Sequence, residues 1–406
     1  MTLKSFAGPP QEPLGPLGGR LGRSFRAGGT AIRLIESIAE IPAAQWNALA
    51  ASTAANNPFL CHAFLNALQE TGCASPETGW HAQFLTIWRD QQLVAAMPLY
   101  GKTHSWGEFV FDWAWAEAYQ RHGLRYYPKL LGAVPFTPVA GARLLAATPE
   151  LRAELVSAAL RLTRESDASG LHILFPTESE ALEMQRQGMM LRKGVQFHWR
   201  NPGYADFTAY LAGMRHDKRK RIQQERRHVR DAGIQFEHLR GEQITAAHWQ
   251  HFQRCYAQTH QQFNSPQALT LAFFQRIGAT MPQHLLLIIA TRDGQPIAGA
   301  LNFYDEHALY GRSWGTLEYH PGLHFETCYY QAIEFCIANQ IATFEGGAQG
   351  EHKLSRGFLP ATTWSAHWLA QPRFVSAVED YLRREAGGIE LYMDELNERN
   401  PFTRSN

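Results

Sequence analysis

The densest group of chemically capable side chains lies near the C-terminus, in FEGGAQGEHKLSRGF at 344–358. Gly346 and Gly347 allow the backbone to approach a ligand closely. The charged residues around this glycine pair could accept a proton or contact an anion; they are Glu345, Glu351, His352, Lys353 and Arg356. The same composition is also typical of a solvated turn between a strand and a helix. The segment therefore predicts either a catalytic loop or an ordinary turn.

The composition is that of a globular protein with more than one domain. The chain has 406 residues, of which 45% are hydrophobic and 18% charged, so we expect two or three domains. The formal net charge of +1 excludes a global field that would draw the protein to DNA or to a membrane. A site for a polyanion would have to be a local patch.

Cysteine usage and the N-terminal sequence predict a cytoplasmic protein. The five cysteines include no CxxC pair, which indicates a reducing compartment and excludes a structural metal or a disulfide framework. No apolar run reaches about 18 residues, so we expect no membrane span. Residues 1–30 are rich in Gly, Pro and Arg without a signal-peptide pattern, which predicts a disordered leader.

The chain contains an internal repeat. FLTIWRDQQLVAAMPLY at 84–100 and LIIATRDGQPIAGALNFY at 287–304 each read as a strand, an Arg-Asp turn and a second strand. The surrounding elements recur in one order: a helix pair, the hairpin, a Trp-bearing strand, a helix, a strand, and a helical segment that reaches a glycine. The matching pairs are 42–71 and 246–281, FVFDWAW and ALYGRSWG, 149–165 and 323–339, 171–175 and 341–345, and Gly188 and Gly357.

This element order resembles that of the GNAT acyltransferase fold. It predicts an α/β protein of two tandem GNAT-like domains, with mixed central sheets flanked by helices. We place the domains at 31–195 and 196–390, with a tail at 391–406. Only the second copy has the glycine pair, so we expect it to be catalytic. The first copy either shapes a cleft, holds one end of a substrate, or is a structural remnant.

A strongly basic helix is predicted at 215–230, where RHDKRKRIQQERRHVR contains eight Lys or Arg residues and only Ile222 and Val229 as an apolar strip. Gly233 suits its C-terminus. One reading is a phosphate contact to a CoA, a nucleotide sugar or a tRNA, with Arg215, Lys218 and Arg219 as donor-binding residues. The other is a solvated face paired with acidic residues elsewhere.

The helix predicted at 323–339 would present free N–H groups to a pyrophosphate in a GNAT arrangement. Before it, Arg312-Ser-Trp-Gly315-Thr-Leu317 matches the first two anchors of the GNAT donor-loop pattern Q/R-x-x-G-x-G/A and lacks the last. Glu326 falls in the first helical turn. It is either a general base or a residue favoured there by the helix dipole alone.

Three segments carry a more specific resemblance: GLHFETCYYQ at 322–331, FEGGAQGEHKLSRGF at 344–358, and the basic helix ending in Asp-Ala-Gly-Ile at 231–234. They resemble the FemAB-like peptidoglycan biosynthesis or recognition proteins of the GNAT superfamily and, more distantly, the Fem aminoacyltransferases. In this resemblance Gly346 and Gly347 take the place of the family's glycine pair. Lys353 or Arg356 takes the place of the cation before its Gly-Phe.

The resemblance implies an N-acyltransferase or aminoacyltransferase. The donor co-substrate would be an acyl-CoA or an aminoacyl-tRNA, with no permanently bound cofactor. The acceptor would be a small-molecule or peptide-linked amine, such as one on a peptidoglycan precursor. The alternative is a non-catalytic binding protein that recognises a peptide- or nucleotide-linked precursor.

The expected chemistry is direct attack of an amine on the acyl group, without a covalent acyl-enzyme. The catalytic candidates are Glu326 or Glu345 as proton acceptor and Lys353 as a cation. Backbone N–H groups near Trp314 and Gly315 would bind the oxyanion. The remaining candidates are substrate- or donor-binding residues, namely His324, Tyr329, Gly346, Gly347, Gln349, His352 and Arg356.

Overall fold

The computed structural model describes residues 24–27, 30–348 and 350–403. Gln349 and residues 1–23 of the predicted leader therefore lie outside the described residues. Of the predicted leader, Ser24–Ala27 form strand β1, whose backbone pairs antiparallel with β2 (Thr30–Ile35); for the rest, disorder stays a prediction.

Within the described residues, the N-terminal half contains five α-helices, all of the smaller sheet and part of the larger one. Its helices are α1 (Ala43–Ala51), α2 (His62–Glu70), α3 (Trp113–Arg121), α4 (Pro149–Glu165) and α5 (Glu178–Arg186). Its further strands are β3 (Trp80–Ala82), β4 (Phe84–Arg89), β5 (Gln92–Met97), β6 (Leu99–Lys102), β7 (Lys129–Gly132), β8 (Leu145–Ala146), β9 (Gly170–Leu174) and β10 (Met190–Arg200).

The C-terminal half repeats the helix pair, the hairpin and the parallel strand pair of the N-terminal half, but within the described residues it has no counterpart of β6 and α3. Its helices are α6 (Phe207–Ala212), α7 (His216–Asp231), α8 (Ala246–Gln262), α9 (Leu271–Thr280), α10 (Leu323–Phe325), α11 (Gln331–Ala338) and α12 (Pro372–Glu398). A π-helical turn (Glu326–Tyr330) joins α10 to α11, and Glu351–Arg356 form a 3-10 helix. Its strands are β11 (Ile234–Arg240), β12 (Leu285–Arg292), β13 (Gln295–Tyr304), β14 (Ala308–Thr316), β15 (Thr343–Glu345) and β16 (Leu359–Leu369).

The two predicted hairpins have the same local geometry, which confirms the repeat. β4–β5 and β12–β13 each close through two residues with positive φ, as type I′ turns require: Asp90 and Gln91 in the first hairpin, Asp293 and Gly294 in the second. Each hairpin also has a register shift just before its turn arginine. A shared bulge and a shared turn at matching positions are the detail expected of duplicated units.

The two halves exchange their last strands. Among the described residues, the larger sheet has eleven strands in the order β11-β12-β13-β14-β15-β10-β16-β9-β7-β6-β3, and a smaller one has the order β1-β2-β4-β5-β8. Thus β10 of the N-terminal half pairs with β15, while β16 of the C-terminal half pairs with β9. The boundary proposed at residue 195 falls inside β10, and α12 runs through residue 391.

The halves also share a core. Phe59 of the N-terminal half packs against Phe303 and Tyr310 of the C-terminal half, with ring centroids 4.9 and 5.3 Å apart. Phe64 packs edge-on against Phe273 at 5.8 Å. Because such aromatic contacts bury large apolar areas, the two copies form one continuous interior rather than separate units.

The prediction of a strand for FVFDWAW is wrong, because Trp113 begins α3. Trp115 and Tyr119 lie one turn apart and are both buried, which is the helical period of a packed face. Tyr119 stacks on Phe374 of α12 at 4.2 Å. Within the described residues, no helix has both the length and the apolarity that crossing a bilayer would require.

Candidate active site

The parallel strands β14 and β15 part at the predicted catalytic segment. Their last residue pair is Tyr310 with Glu345. Beyond it β14 continues to Thr316, while the other chain turns away through the glycine pair, with Gly347 at φ 87°. At this place β13 pairs with the residues on either side of Arg312 and skips Arg312 itself. A bulge thus aims a cation at the point where the strands separate.

Glu345 is a buried carboxyl with an unused acceptor. Its side chain is 13% exposed, and its Oε2 lies 3.9 Å from Nε2 of His198. Within the described residues this Oε2 has no hydrogen-bond partner. Burial raises the pKa of Glu345 to about 8, against the opposing charges of Arg312 and Arg200. A carboxyl with such a pKa can take up and release a proton near neutral pH.

The strand exchange supplies His198. It is the direct cross-strand partner of Glu345, and directly opposed residues share one face of a sheet. Burial, and then the charges of Arg200 and Lys353, lower the pKa of His198 to about 4. The imidazole is therefore neutral at pH 7 and offers a polar ring beside the carboxyl without neutralising it.

A loop of the N-terminal half, residues 133–142, reaches the same place. Arg312 donates a hydrogen bond to the carbonyl oxygen of Phe136. The amide of the buried Gln196 on β10 donates to the carbonyl oxygen of Pro138 at 2.8 Å. Neither His198 nor Gln196 was predicted, because no local pattern in the sequence indicates that β10 pairs with strands of the other copy.

Lys353 holds the glycine pair. The 3-10 helix places this lysine almost fully inside the protein, and its Nζ donates to the carbonyl oxygen of Gly347 at 2.8 Å. Burial lowers the pKa of Lys353 to about 8. Gly346 lies against the ring of Phe358, so that an added Cβ would meet the ring at 2.9 Å. The predicted glycine pair and lysine are thus brought together.

Four further candidates form an aromatic group. The rings of Trp314 and His324 lie 5.0 Å apart, and the hydroxyl of Tyr329 lies 3.1 Å from Nε2 of His352. Burial, and then the charges of His352, Arg356 and Lys353, lower the pKa of His324 to about 4. The structure therefore gathers these predicted residues into one polar-edged aromatic surface.

Arg356 and Glu326 are tied to the basic helix by crossed ion pairs. Arg356 is buried and its Nη2 lies 2.6 Å from Oε1 of Glu225. Its guanidinium also stacks on Phe325, 3.3 Å from the ring centroid. Glu326 is bound by Arg226 at 3.0 Å. Arg356, predicted to contact an anion, and Glu326, predicted as a base, are thus each paired with a side chain of the basic helix.

The basic helix covers the helix start predicted for a pyrophosphate. At Gly322, directly before α10, an added Cβ would lie 3.0 Å from the backbone oxygen of Glu225 in α7. Ile222 and Val229 are buried, as predicted, and hold α7 against this surface. The N–H groups at the start of α10 therefore lie under α7.

The other predicted residues have local partners. An alanine Cβ at Gly315 would lie 2.1 Å from the backbone oxygen of Cys255, so a glycine is needed there for β14 to pack on α8. Arg215 and Lys218, at the start of α7, lie 4.0 and 3.0 Å from the carboxylate of Asp217. Arg219 is half-buried in the same turn.

These features define a class of protein: a tandem GNAT-type fold in which each copy has a parallel strand pair that parts at one end. A profile of the FemAB-like family, described as peptidoglycan biosynthesis/recognition, matches residues 37–404. The chain belongs to the FemAB-like family.

Solved structures with the same architecture include FemX, with a TM-score of 0.53 and 10% identity over 82% of this chain and 98% of that one. L-PGS from Bacillus licheniformis has a TM-score of 0.53 and 8% identity over 87% and 98%. At these identities the likeness shows the fold. A tandem GNAT protein from the clavulanic acid biosynthesis pathway has a TM-score of 0.43 and 11% identity over 84% and 99%. No curated protein matches the chain.

Proposed function

We propose that this protein is an N-acyltransferase or aminoacyltransferase whose reaction takes place where β14 and β15 part. The observation that carries the proposal is Glu345, a buried carboxyl with an unused oxygen and a pKa near 8. It ends the strand that leads into the glycine pair. Membership of the FemAB-like family supports a transferase.

In the proposed reaction, the acceptor ammonium gives a proton to the Glu345 carboxylate. The freed amine nitrogen attacks the acyl carbon and forms a C–N bond, and the carbonyl oxygen becomes an oxyanion. Collapse of this intermediate breaks the bond to the carrier, and the leaving oxygen or sulfur takes the proton that the attacking nitrogen loses as it becomes an amide. The backbone N–H groups of β14 immediately after Tyr310, where the strands part, and the charge of Lys353 would stabilise the oxyanion.

Among possible donors, we favour an aminoacyl-tRNA over an acyl-CoA. The start of α10, where a pyrophosphate would bind in a GNAT arrangement, lies against α7. The outer face of α7 carries Lys220 and Arg227, which form no ion pair within the described residues and are exposed. A row of exposed cations beside the site suits a polyphosphate backbone.

For the acceptor, we propose a peptide-linked amine on a peptidoglycan precursor. The description of the family supports this substrate class. His198, Gln196 and loop 133–142 come from the N-terminal half, so that half would contact the acceptor. A cytoplasmic location stays a prediction.

The test replaces Glu345 with Gln and measures transfer from labelled aminoacyl-tRNA to a UDP-linked muramyl peptide. We expect a loss of about 10²- to 10⁴-fold, the usual effect of removing a general base. The matched control is Glu351→Gln, because Glu351 is an exposed carboxylate of the same segment held by Tyr392 and Arg399. This control should retain activity.

Two results would count against the proposal. Full activity of Glu345→Gln combined with loss in Glu326→Gln would move the proton acceptor to α10–α11. Tight binding of the precursor by the unaltered chain, with no turnover from either donor type, would instead identify a non-catalytic binding protein.

A further inference from the structure

In residues 106–116, here called the aromatic loop, apolar side chains are exposed to solvent and charged side chains are buried. The exposed fractions of Trp106, Phe109, Phe111 and Trp113 are 43, 41, 52 and 40%. The described residues include nine exposed large hydrophobic side chains, and four of them lie in this loop. The charged residues of the loop point the other way and are buried. Every exposed side chain of the aromatic loop is therefore apolar.

A buried lysine, Lys129, holds the two acidic side chains of this loop inside the protein. Nζ of Lys129, on β7, lies 2.7 Å from Oε2 of Glu108 and also binds the carboxylate of Asp112. The same ammonium donates to Oγ of Ser105 at 2.8 Å, and the hydroxyl of Tyr126 donates to Asp112 at 2.7 Å. Both acidic residues of the loop are thus anchored inside the protein, and the aromatic rings between them are held outward.

This arrangement is unfavourable for an isolated protein. Burying an ionic cluster costs desolvation energy, and exposed aromatic rings lose the hydrophobic gain that burial would bring. Exposed apolar side chains grouped in one segment mark an interaction site in soluble proteins. The cluster keeps the rings from folding back onto the core, so the loop presents a preformed apolar surface.

We propose that the aromatic loop inserts into the interface of a lipid bilayer. Trp106 and Trp113 lie edge to face at 5.4 Å, and tryptophan rings favour the boundary between lipid and water. Phe109 and Phe111 have no polar group and would reach deeper. A carbohydrate would need polar side chains beside the rings, and in this loop those side chains, Glu108 and Asp112, are turned inward.

The binding would be hydrophobic rather than electrostatic. The loop exposes no charge, and the chain as a whole has a net charge of only +1. Attachment should therefore occur on neutral lipid and withstand salt, whereas attachment through the basic helix would need anionic lipid and weaken with salt. The inference goes beyond the proposed transfer reaction and brings that site to a surface that holds amphiphilic acceptors.

The experiment is flotation of the full chain with phosphatidylcholine vesicles between about 0.05 and 0.5 M salt. We expect binding that changes little with salt. Phe109→Ser combined with Phe111→Ser should weaken it at least about tenfold, since each phenyl ring gains free energy by leaving water. These variants keep the Lys129 anchor, and an unchanged thermal midpoint would confirm folding.

The matched control is Tyr319→Ser combined with Leu391→Ser, which removes two apolar side chains that are 88 and 73% exposed elsewhere on the protein; this variant should bind as the unaltered chain does. The proposal is overturned by any of three results. These are absence of binding to neutral vesicles, binding only to phosphatidylglycerol vesicles that salt abolishes, and a dimer in sedimentation that the Phe109 and Phe111 changes dissociate. The last would assign the loop to a second copy of the chain.

Discussion

The two halves share a fold but fill the same place differently. In the N-terminal half, the last β7–β9 pair is Gly132 with Ile173. The next carbonyl oxygen, that of Leu174, accepts a hydrogen bond from Nε of the fully buried Arg143 at 2.8 Å. In the C-terminal half, the corresponding pair ends at Glu345 and leads into the glycine pair. One end is closed by a side chain, and the other carries a carboxyl whose Oε2 has no hydrogen-bond partner within the described residues.

In both halves the backbone of a parallel strand pair separates at one end. Whether chemistry can take place there depends on the side chain that lies between the strands. The remaining donors of Arg143 are also used internally: its guanidinium donates to the carbonyl oxygens of Val139 and Ala142 at 2.7 and 3.2 Å. Arg143 and Glu345 should therefore respond to mutation in opposite ways.

The largest expected effect on stability comes from Arg143→Met. It leaves carbonyl groups without donors and removes the charge that opposes the buried Glu180. We expect the free energy of unfolding in urea to fall by about 3–5 kcal/mol, as when a buried ionic group is deprived of its partner. The kcat per folded molecule should stay near that of the unaltered chain, because Arg143 touches no proposed reacting group. The KM for the acceptor should rise, because Arg143 holds Val139 and Ala142 of loop 133–142.

Glu345→Gln is the counterpart. The pKa of Glu345 is raised from 4.5 to about 8 in the folded protein. Between these values the carboxyl ionises in the unfolded chain but stays protonated in the native one, so stability falls as pH rises. At pH 9 the Gln variant should be more stable than the unaltered chain, and the two should converge below pH 4.5. A destabilised Glu345→Gln or an inactive Arg143→Met would remove the contrast between the halves.

Two glycines sharpen the comparison within the C-terminal half. Gly315→Ala would put a Cβ 2.1 Å from a backbone oxygen of α8, and we expect a loss of about 3 kcal/mol from such overpacking. Gly347→Ala meets nothing closer than 3.6 Å but must adopt a φ of 87°, which costs about 1–2 kcal/mol.

Gly347→Ala and Gly315→Ala should also differ in transfer activity per folded molecule. Gly347→Ala displaces the carbonyl group that Lys353 binds, so transfer should fall although the protein stays folded. Gly315→Ala should lose activity only in proportion to unfolding, as measured by circular dichroism at the assay temperature. Equal activity losses per folded molecule would place Gly315 at the reacting atoms, as its position beside Trp314 in the sequence predicts.

The fold could be predicted largely from short-range patterns. Turn chemistry at Arg-Asp, helical periodicity and strand length placed the hairpins and most helices, because these signals lie within a few residues of one another. The FVFDWAW segment misled because its Asp112 binds Lys129 inside the protein. That contact depends on packing, so the local pattern carried no sign of it.

The site was predicted less completely, for the same reason. Glu345, the glycine pair and Lys353 stood out because their types are concentrated in one segment. Their partner His198 comes from a strand exchanged between copies, and a pairing of this kind leaves no local signal. Arg356 was assigned to an anion by its type alone, while its partner Glu225 lies 131 residues earlier in the chain.

The pH dependence of transfer tests whether two groups share the site. Glu345 must lose a proton to act as base, and Lys353 must keep one to supply charge; the pKa of each lies near 8. We expect a bell-shaped kcat/KM profile with its maximum near pH 8, falling roughly tenfold per pH unit well away from it. Lys353→Met should abolish the alkaline limb and keep the acid limb.

The smallest expected effect concerns α7, which has one face paired with the protein interior and one face exposed to solvent. Arg226 faces inward and binds Glu326 and Glu334, while Lys220 and Arg227 face solvent. Lys220→Gln combined with Arg227→Gln should weaken aminoacyl-tRNA binding severalfold. The slope of log K against log salt should become shallower by about 0.7–0.9 for each phosphate that the variant no longer neutralises.

Arg226→Gln is the control that distinguishes a loss of phosphate contacts from a loss of ion pairs within the protein. It removes the same formal charge but leaves two carboxylates unpaired, so it should lower the thermal midpoint while the salt slope stays near that of the unaltered chain. If instead all three cations changed the slope equally, the helix would be a uniform polyanion surface. The ion pairs of Arg226 and Glu225 would then not position α7. The exposed cations Lys220 and Arg227 would no longer support a tRNA donor over a CoA.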